Sequence, residues 1–227
     1  MSDDRLLPVR AVWTDFGGVL TPPIDQDLET FCLRTDIPAE AMRAAMTAVA
    51  APFGNDLMAP LDTPLLSEDE WAARMNAELR ARGIETDLTG FGKRWFDGRE
   101  TNEPWRAHLV ELRAAGVYVG LLSNMPPAWD PLWRRMICPD GTEALFDGLA
   151  LSFEIGARKP DPRIFEVAAG LAGVAPGECL LVDDIERNCA GARAAGWQAI
   201  HFTGAEAAAE QLARHLPPRT TAGPAAT

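Results

Sequence analysis

The sequence predicts an α/β fold with a doubly wound, mainly parallel Rossmann-like sheet and a small all-helical segment inserted after the first strand. Short continuous apolar runs are spaced along the chain, and helical patterns lie between them. Strands that are apolar on both faces are typical of a parallel sheet that helices cover on both sides. The five runs lie at 11–14, 117–122, 149–153, 179–183 and 197–202.

Three core helices follow from apolar spacings of three and four residues. A proline lies near the start of the first two, Pro104 and Pro162, and a glycine ends each of the three, as is common for helix boundaries. The segments read "EPWRAHLVELRAAG", "DPRIFEVAAGLAG" and "ERNCAGARAAG". Alternation of strands and helices favours a doubly wound sheet.

The stretch from 22 to 100 departs from this alternation because it is helical throughout and contains no strand run. Ser67 followed by Glu70 is the signature of a capping box at a helix start. We therefore predict a core formed by 1–21 and 101–216 and a helical cap over 22–100. The Pro/Ala/Thr-rich tail, 217–227, is predicted to be disordered.

The charge balance limits the partners. With 33 acidic and 21 basic side chains, the formal net charge is −12, which argues against nucleic acid and anionic membranes. An anionic substrate would need a local cation, either a metal or a basic side chain. We find no apolar run of membrane-spanning length and no secretion signal, and the four cysteines are scattered. These features predict a cytoplasmic protein with reduced thiols.

Polar residues stand at or just after the ends of four predicted strands. Asp15 ends the first, Ser123-Asn124 ends the second, Lys159 follows the third, and Asp183-Asp184 ends the fourth. The carboxyl ends of parallel strands share one edge of the sheet, where ligands bind. Three carboxylates in one crevice repel each other unless a cation lies among them. Oxygen ligands without His or Cys favour Mg²⁺.

Such a site suits phosphoryl transfer. Mg²⁺ and Lys159 would neutralise phosphate charge, Ser123 and backbone N–H groups would hold its oxygens, and a carboxylate would attack phosphorus in line. Asp15 is the natural nucleophile. It would form an aspartyl-phosphate that water then hydrolyses.

The motifs "DFGGVL", "LLSN", "GARKPDPRIF" and "VDDIERNCAGARAAGW" resemble the four ordered motifs of the haloacid dehalogenase (HAD) superfamily. The helical segment 22–100 resembles the C1-type cap of that superfamily. The first two motifs are closely similar to a subgroup that reads D-x-G-N/G-V with SN and includes sugar-1-phosphate phosphatases.

The resemblance implies roles for individual residues. Asp15 would be the nucleophile and a metal ligand, Ser123 and Asn124 would contact the phosphate, and Lys159 would bridge phosphate and nucleophile. The second of two paired acids usually touches Mg²⁺ directly in such relatives. Asp184 would then be a direct ligand and Asp183 an outer-shell one.

Position 17 departs from the common phosphatase pattern. Typical phosphatases of the superfamily have a second Asp there, which protonates the leaving oxygen and activates water, while its backbone carbonyl binds Mg²⁺. Gly17 offers the carbonyl but moves no proton. General acid–base catalysis contributes ~10²–10⁴-fold, so the rate of this enzyme is expected to depend steeply on the leaving ability of the substrate.

Three functions are compatible with these motifs. The leading one is a Mg²⁺-dependent phosphatase that acts on a small phosphorylated metabolite. A second is an enzyme or sensor that binds phosphate or diphosphate without simple hydrolysis, for example by ionising or rearranging its substrate. A third is a metal-free 2-haloacid dehalogenase, against which the paired Asp183-Asp184 argues.

Six of the seven tryptophans divide by position. Trp13 and Trp197 lie in strand patterns and Trp71 on an amphipathic helix, so ordinary packing is expected for these three. Trp95, Trp129 and Trp133 lie near the cap hinge or just after Ser123-Asn124 and are the candidates for a substrate pocket. For each of the three individually, packing remains the alternative.

Overall fold

The computed structural model describes residues 7–54 and 56–216. The predicted disordered tail, 217–227, lies outside the described residues. The sheet has five strands in the order β3-β2-β1-β4-β5, and every neighbouring pair is parallel. The strands are β1 (Ala11–Thr14), β2 (Tyr118–Ser123), β3 (Gly148–Leu151), β4 (Cys179–Asp183) and β5 (Gln198–His201). The predicted fold class is confirmed.

The insert between β1 and β2 begins with five helices. They are α1 (Ile24–Thr35), α2 (Ala39–Ala50), α3 (Ala59–Asp62), α4 (Glu68–Arg80) and α5 (Phe91–Phe96). The capping box at α4 is confirmed: the Ser67 hydroxyl accepts from the Glu70 N–H at 3.2 Å, and the Glu70 carboxylate accepts from the Ser67 N–H at 2.9 Å. The sequence did not predict α3, since four residues that include Pro60 are too few to show a helical period.

Six further helices belong to the core. They are α6 (Glu103–Ala114), α7 (Asp130–Ile137), α8 (Ser152–Ile155), α9 (Pro162–Ala172), α10 (Glu186–Ala194) and α11 (Ala205–Ala213). Helices α9 and α10 contact each other, as do α6 and α11. The first pair covers the sheet face that bears Trp13, and the second covers the face that bears Val12.

One predicted strand ends earlier than expected. The apolar run 149–153 predicts strand to position 153, but β3 ends at Leu151 and α8 begins at Ser152. The Ser152 hydroxyl accepts from the Met125 N–H at 2.9 Å and donates to the Asp62 carbonyl at 2.6 Å. Ser152 therefore joins β3 to the insert and to the loop after β2.

The hydrophobic cluster on the Val12 face continues without a break into the insert, where it includes Phe31, Met42 and Trp71. Apolar burial therefore stabilises insert and core together. The boundaries at 21/22 and 100/101 stay predictions. In the described part of the chain, no helix has the length and apolar character needed to cross a membrane.

Candidate active site

Asp15 follows β1, the central strand of the sheet. Its N–H donates to the Val182 carbonyl of β4 at 2.9 Å, and the residue is 7% exposed. The strand order changes direction between β1 and β4, because β2 and β3 lie on one side of β1 and β5 lies beyond β4. Crevices that bind ligands form at such switch points. The end of β1 is therefore where topology places the expected site.

Lys159 lies between two carboxylates. Its Nζ is 2.8 Å from Asp15 Oδ1 and 2.6 Å from Asp183 Oδ2, and only 1% of the side chain is exposed. Burial by itself lowers the pKa of Lys159, but the two carboxylates raise it above its ordinary value. The lysine is therefore a fixed cation that partly neutralises Asp15 and Asp183.

Asn124 holds the loop that carries Lys159. Its Oδ1 accepts from the Lys159 N–H at 2.7 Å, and its Nδ2 donates to the Lys159 carbonyl at 3.1 Å. The side-chain amide therefore positions Lys159. Ser123 ends β2 and is 3% exposed. Contacts of Ser123 and Asn124 with a phosphate stay predictions.

Asp183 is fully buried and well supplied with donors. Its Oδ1 accepts from the Ile185 N–H at 2.9 Å and from Asn188 Nδ2 at 3.0 Å, while its Oδ2 binds Lys159. These donors fix the orientation of the Asp183 carboxylate. Sequence reasoning missed Asn188, whose only signal was an amide in the first turn of the helix after the paired acids.

Asp184 differs from Asp183 in its hydrogen bonding. Its Oδ1 is buried and has no hydrogen-bond partner among the described residues. Burial, followed by the charges of Asp15 and Asp183, raises the pKa of Asp184 to about 7. Burial is also the main reason why the pKa of Asp15 is raised to about 6, with Lys159 acting against it.

Oxygens of Asp15, Asp183 and Asp184 lie within 4.8 Å of one another. Three carboxylates this close, with only one ammonium among them, have an excess of negative charge. A divalent cation placed among them would remove this excess and would give the unpartnered Asp184 oxygen a ligand. The oxygen-only donor set fits Mg²⁺.

The two glycines after Phe16 are under different steric constraints. Gly18 has a φ of +77°, and a Cβ there would lie 1.8 Å from Asp184 Oδ2. Gly17 lies outside the left-handed region, and a Cβ there would meet Cδ1 of Ile24 at 3.1 Å. The Gly18 position therefore makes room for a site carboxylate. The space beside Gly17 is bounded by Ile24, the first residue of α1.

A cavity of about 520 Å³ reaches Asp184 from the side where the insert joins the core. Its lining is mixed, with polar groups and apolar rings, and includes Gly18, Thr21, Pro22, Glu100, Asp184 and Phe202. A ligand that enters here meets the strand-end carboxylates at the base of the insert.

The three tryptophans singled out as pocket candidates are packed. Trp95, Trp129 and Trp133 are 6%, 3% and 0% exposed. Trp129 stacks on Trp95 at 5.9 Å between ring centroids and meets Phe96 edge-on at 5.5 Å, while Trp133 contacts Phe16 at 6.4 Å. These rings pack between the insert and the core. Of the three, Trp95 also lines a smaller cavity of about 170 Å³.

Two buried ion pairs were not predicted from the sequence. Arg99 is buried against the Phe16 ring, and its Nε donates to Asp27 at 2.7 Å. Asp62, at the end of α3, binds Arg158 Nη2 through Oδ2 at 2.8 Å. The one sequence signal for the second pair was that Arg158 directly precedes Lys159.

The family model of the haloacid dehalogenase-like hydrolases matches residues 9–196. The chain belongs to this family, so the predicted superfamily and hydrolase class are confirmed.

The curated relatives include several phosphatases. The chain is 38% identical over 95 residues to phosphoserine phosphatase of Thermus thermophilus, in a match covering 41% of this chain and 37% of that protein. It is 25% identical over 199 residues to phosphoglycolate phosphatase of Yersinia pestis, covering 86% and 81%. The match therefore spans little more than a third of the first relative and most of the second.

Among solved structures, a HAD family enzyme from Bacteroides thetaiotaomicron, in complex with magnesium and inorganic phosphate, superposes with a TM-score of 0.61. Identity is 21%, over 86% of this chain and 95% of that one. The L-2-haloacid dehalogenase from Xanthobacter autotrophicus, with chloropropionic acid covalently bound, also has a TM-score of 0.61 at 16% identity, covering 84% and 76%. The fold is thus shared by an enzyme that binds magnesium and phosphate and by a haloacid dehalogenase, so the fold alone does not distinguish a phosphatase from a dehalogenase.

Proposed function

We propose that this protein is a Mg²⁺-dependent phosphatase that hydrolyses a small phosphorylated metabolite through an aspartyl-phosphate. The observation that carries the proposal is the arrangement at the strand ends. Lys159 bridges Asp15 and Asp183, and an oxygen of Asp184 lies within 4.8 Å of oxygens of both acids. The buried Oδ1 of Asp184 has no hydrogen-bond partner among the described residues. A dehalogenase, which uses no divalent metal, has no need of this second acid.

The metal would be held by Asp15, Asp184 and the Gly17 carbonyl, with Asp183 behind them. The unpartnered oxygen of Asp184 and the close approach that Gly18 allows support this set. When bound, Mg²⁺ supplies positive charge that stabilises the phosphoryl group in the transition state. The hydrogen bonds that Asp183 receives from Ile185 and Asn188 support an orienting role for Asp183.

The chain's own residues perform the remaining tasks. Asp15 attacks phosphorus in line with the leaving oxygen, and the Lys159 ammonium stabilises the charge on the phosphoryl oxygens. Ser123 and nearby backbone N–H groups bind those oxygens. Asn124 fixes the Lys159 backbone from both sides and so holds the ammonium against Asp15.

Residues 22–100 would act as a C1-type cap over this site, with the cavity at the hinge as the route of entry. The continuous hydrophobic cluster and the aromatic contact between insert and core correspond to a closed position of such a cap. The phosphatase names of the relatives support the reaction class. The D-x-G motif with SN favours the sugar-1-phosphate phosphatase-like subgroup, and a screen of phosphorylated metabolites would identify the substrate.

The decisive assay uses p-nitrophenyl phosphate and a 2-haloacid, each with Mg²⁺ and with EDTA. We expect phosphate release from the first substrate only, and only with Mg²⁺. Halide release that persists in EDTA would establish the dehalogenase. Tight Mg²⁺ and phosphate binding without turnover of any phosphate ester would establish the non-hydrolytic alternative.

A further inference from the structure

We propose that Arg158 is a positioning residue that holds the Lys159 ammonium in place by joining its loop to the insert. The part of the insert that Arg158 binds is residues 56–62, here called the docking segment. The inference rests on the proposed phosphatase function, in which Lys159 stabilises the charge of the phosphoryl group. Arg158 acts through Lys159 and makes the position of this cation depend on how the insert lies.

Lys159 lies in the loop between α8 and α9, where neither a helix nor a strand fixes the backbone. Its charge stands on a flexible four-carbon stem, and holding such a side chain in one conformation costs entropy. The ammonium lies 2.8 Å from an oxygen of Asp15 and 2.6 Å from one of Asp183, so two carboxylates compete for it. Its place beside the nucleophile therefore depends on contacts that hold the loop.

Arg158, the residue before Lys159, binds two carboxylates of the docking segment. Its Nη2 is 2.8 Å from Asp62 Oδ2, and its Nη1 is 2.9 Å from Asp56 Oδ2. The side chains of Arg158 and Asp62 are 19% and 3% exposed, so water and salt screen this pair little. Arg187 of α10 also binds Asp56, at 2.8 Å, and holds the same segment against the core. The guanidinium therefore ties the Lys159 loop to the insert.

A second chain of hydrogen bonds runs from the docking segment to the backbone of Lys159. The Asp62 carbonyl accepts from the Ser152 hydroxyl at 2.6 Å, and this hydroxyl accepts from the Met125 N–H at 2.9 Å. Asn124, the residue before Met125, accepts from the Lys159 N–H at 2.7 Å and donates to the Lys159 carbonyl at 3.1 Å. The docking segment thus reaches the Lys159 loop by two separate routes.

These contacts couple the placement of the insert to the charge at the phosphoryl position. While the docking segment lies against the core, Arg158 and Asn124 both restrain the backbone that carries Lys159. If Arg158 loses its two carboxylates, the loop is free to shift, and the ammonium is still attracted by Asp183. A shift of about 1 Å in a positioned group can cost about 10²-fold in rate. Turnover is therefore expected to depend on Arg158.

The test measures kcat for p-nitrophenyl phosphate with Mg²⁺ in Arg158→Gln, in Lys159→Ala and in the variant that combines them. We expect Arg158→Gln to lower kcat about 10- to 100-fold, because the ammonium is displaced. In the Lys159→Ala background the same change should cost less than about two-fold, because a residue that acts through Lys159 then has nothing to position. Arg158→Lys keeps the charge but not the fork of donors, and should recover part of the loss.

Arg113→Gln is the matched control, because it also breaks one ion pair of the core. Arg113 Nε lies 2.8 Å from Asp147 Oδ1, just before β3 begins and therefore at the opposite edge of the sheet. Its kcat should stay within about two-fold of the wild type. If Arg158→Gln does not fold because Asp62 is left as an unpaired buried charge, adding Asp62→Asn removes that charge, and this pair takes its place in the comparison.

Two results would overturn the proposal and reduce Arg158 to a structural contact. One is full additivity of Arg158→Gln and Lys159→Ala, and the other is an equal loss of kcat in Arg113→Gln. If Lys159→Ala is too slow to assay, the affinity of the same variants for inorganic phosphate with Mg²⁺, measured by titration calorimetry, replaces kcat with the same non-additive result expected. Failure of the wild type on every phosphate ester would refute the phosphatase function, and the phosphate affinities would still decide the role of Arg158.

Discussion

The strand-end cluster, made of Asp15, Lys159, Asp183 and Asp184, differs sharply from the aromatic contact, made of Phe16, Trp95, Phe96, Trp129 and Trp133. The cluster concentrates three carboxylates around one ammonium, and one buried Asp184 oxygen finds no partner in the part of the chain that the structure describes. The aromatic contact is densely packed, with ring centroids 5.5 to 6.4 Å apart. The strand-end cluster carries an excess of negative charge, whereas the rings of the aromatic contact are closely packed.

This difference shows that the aromatic contact contributes stability, whereas the charged cluster is suited to binding a ligand. Buried rings contribute stability because they remove apolar area from water and pack closely. Buried like charges reduce stability unless a ligand neutralises them. The strand-end cluster is therefore the region that gains most from binding a metal and a phosphoryl group, while the aromatic contact holds the insert in place.

The largest expected effect is at the nucleophile. Asp15→Asn should lower phosphate release by at least about 10⁴-fold, because an amide cannot form the aspartyl-phosphate. The melting temperature should change little, since the substitution is isosteric and Lys159 keeps Asp183 as a partner. Single-turnover assays and thermal unfolding measure the two effects. Wild-type turnover in a folded Asp15→Asn variant would exclude the covalent mechanism.

Substitution of Asp184 should reduce mainly Mg²⁺ binding, whereas substitution of Asp183 should reduce mainly stability. Asp184→Ala should weaken Mg²⁺ binding by at least about 100-fold and remove most activity. Without metal it should raise the melting temperature, because an unpartnered buried oxygen is lost. Asp183→Ala should lose less Mg²⁺ affinity than Asp184→Ala does. Its free energy of unfolding should fall by about 3 kcal/mol, since Lys159 and Asn188 lose a buried partner.

Titration calorimetry with Mg²⁺ and melting curves in EDTA separate these outcomes. Equal losses of Mg²⁺ affinity in both variants, or a greater loss in Asp183→Ala, would reverse the assignment of the direct ligand.

Gly18→Ala tests the space that the cluster needs. The new methyl group would overlap Asp184 Oδ2, so Mg²⁺ affinity should fall about 10- to 100-fold. Gly83→Ala is the matched control, because Gly83 has a similar φ of +80° and nothing within 4 Å of the added carbon. Both variants should lose about 1 kcal/mol of stability from backbone strain. Unchanged Mg²⁺ affinity in Gly18→Ala would mean that Asp184 is not a ligand.

The aromatic contact should affect stability and the attachment of the insert. Trp129→Ala should cost about 3–5 kcal/mol, because its ring is buried against Trp95 and Phe96. Phe165→Ala, in the opposite cluster, should cost a similar amount. Only Trp129→Ala should increase native-state proteolysis near residues 22 and 100. Equal proteolysis of both variants would argue against a specific attachment role for Trp129.

The sequence by itself determined the parallel sheet, the helical insert and the four polar strand ends. These features follow from short-range patterns: apolar runs, helical periods and the single acid or acid pair that ends a strand. Topology then brings Asp15, Lys159, Asp183 and Asp184 together without further information, because the carboxyl ends of parallel strands share one edge. Their roles as catalytic and metal-binding residues remain predictions.

Tertiary structure decided what no local pattern records. Asn124 turned out to hold the Lys159 backbone, Trp95, Trp129 and Trp133 turned out to be packed, and Asp62 met Arg158 across 96 residues of chain. Each depends on long-range proximity, which the periods of helices and strands do not encode. The ion pair of Asp62 with Arg158 was therefore visible only once the insert lay against the core.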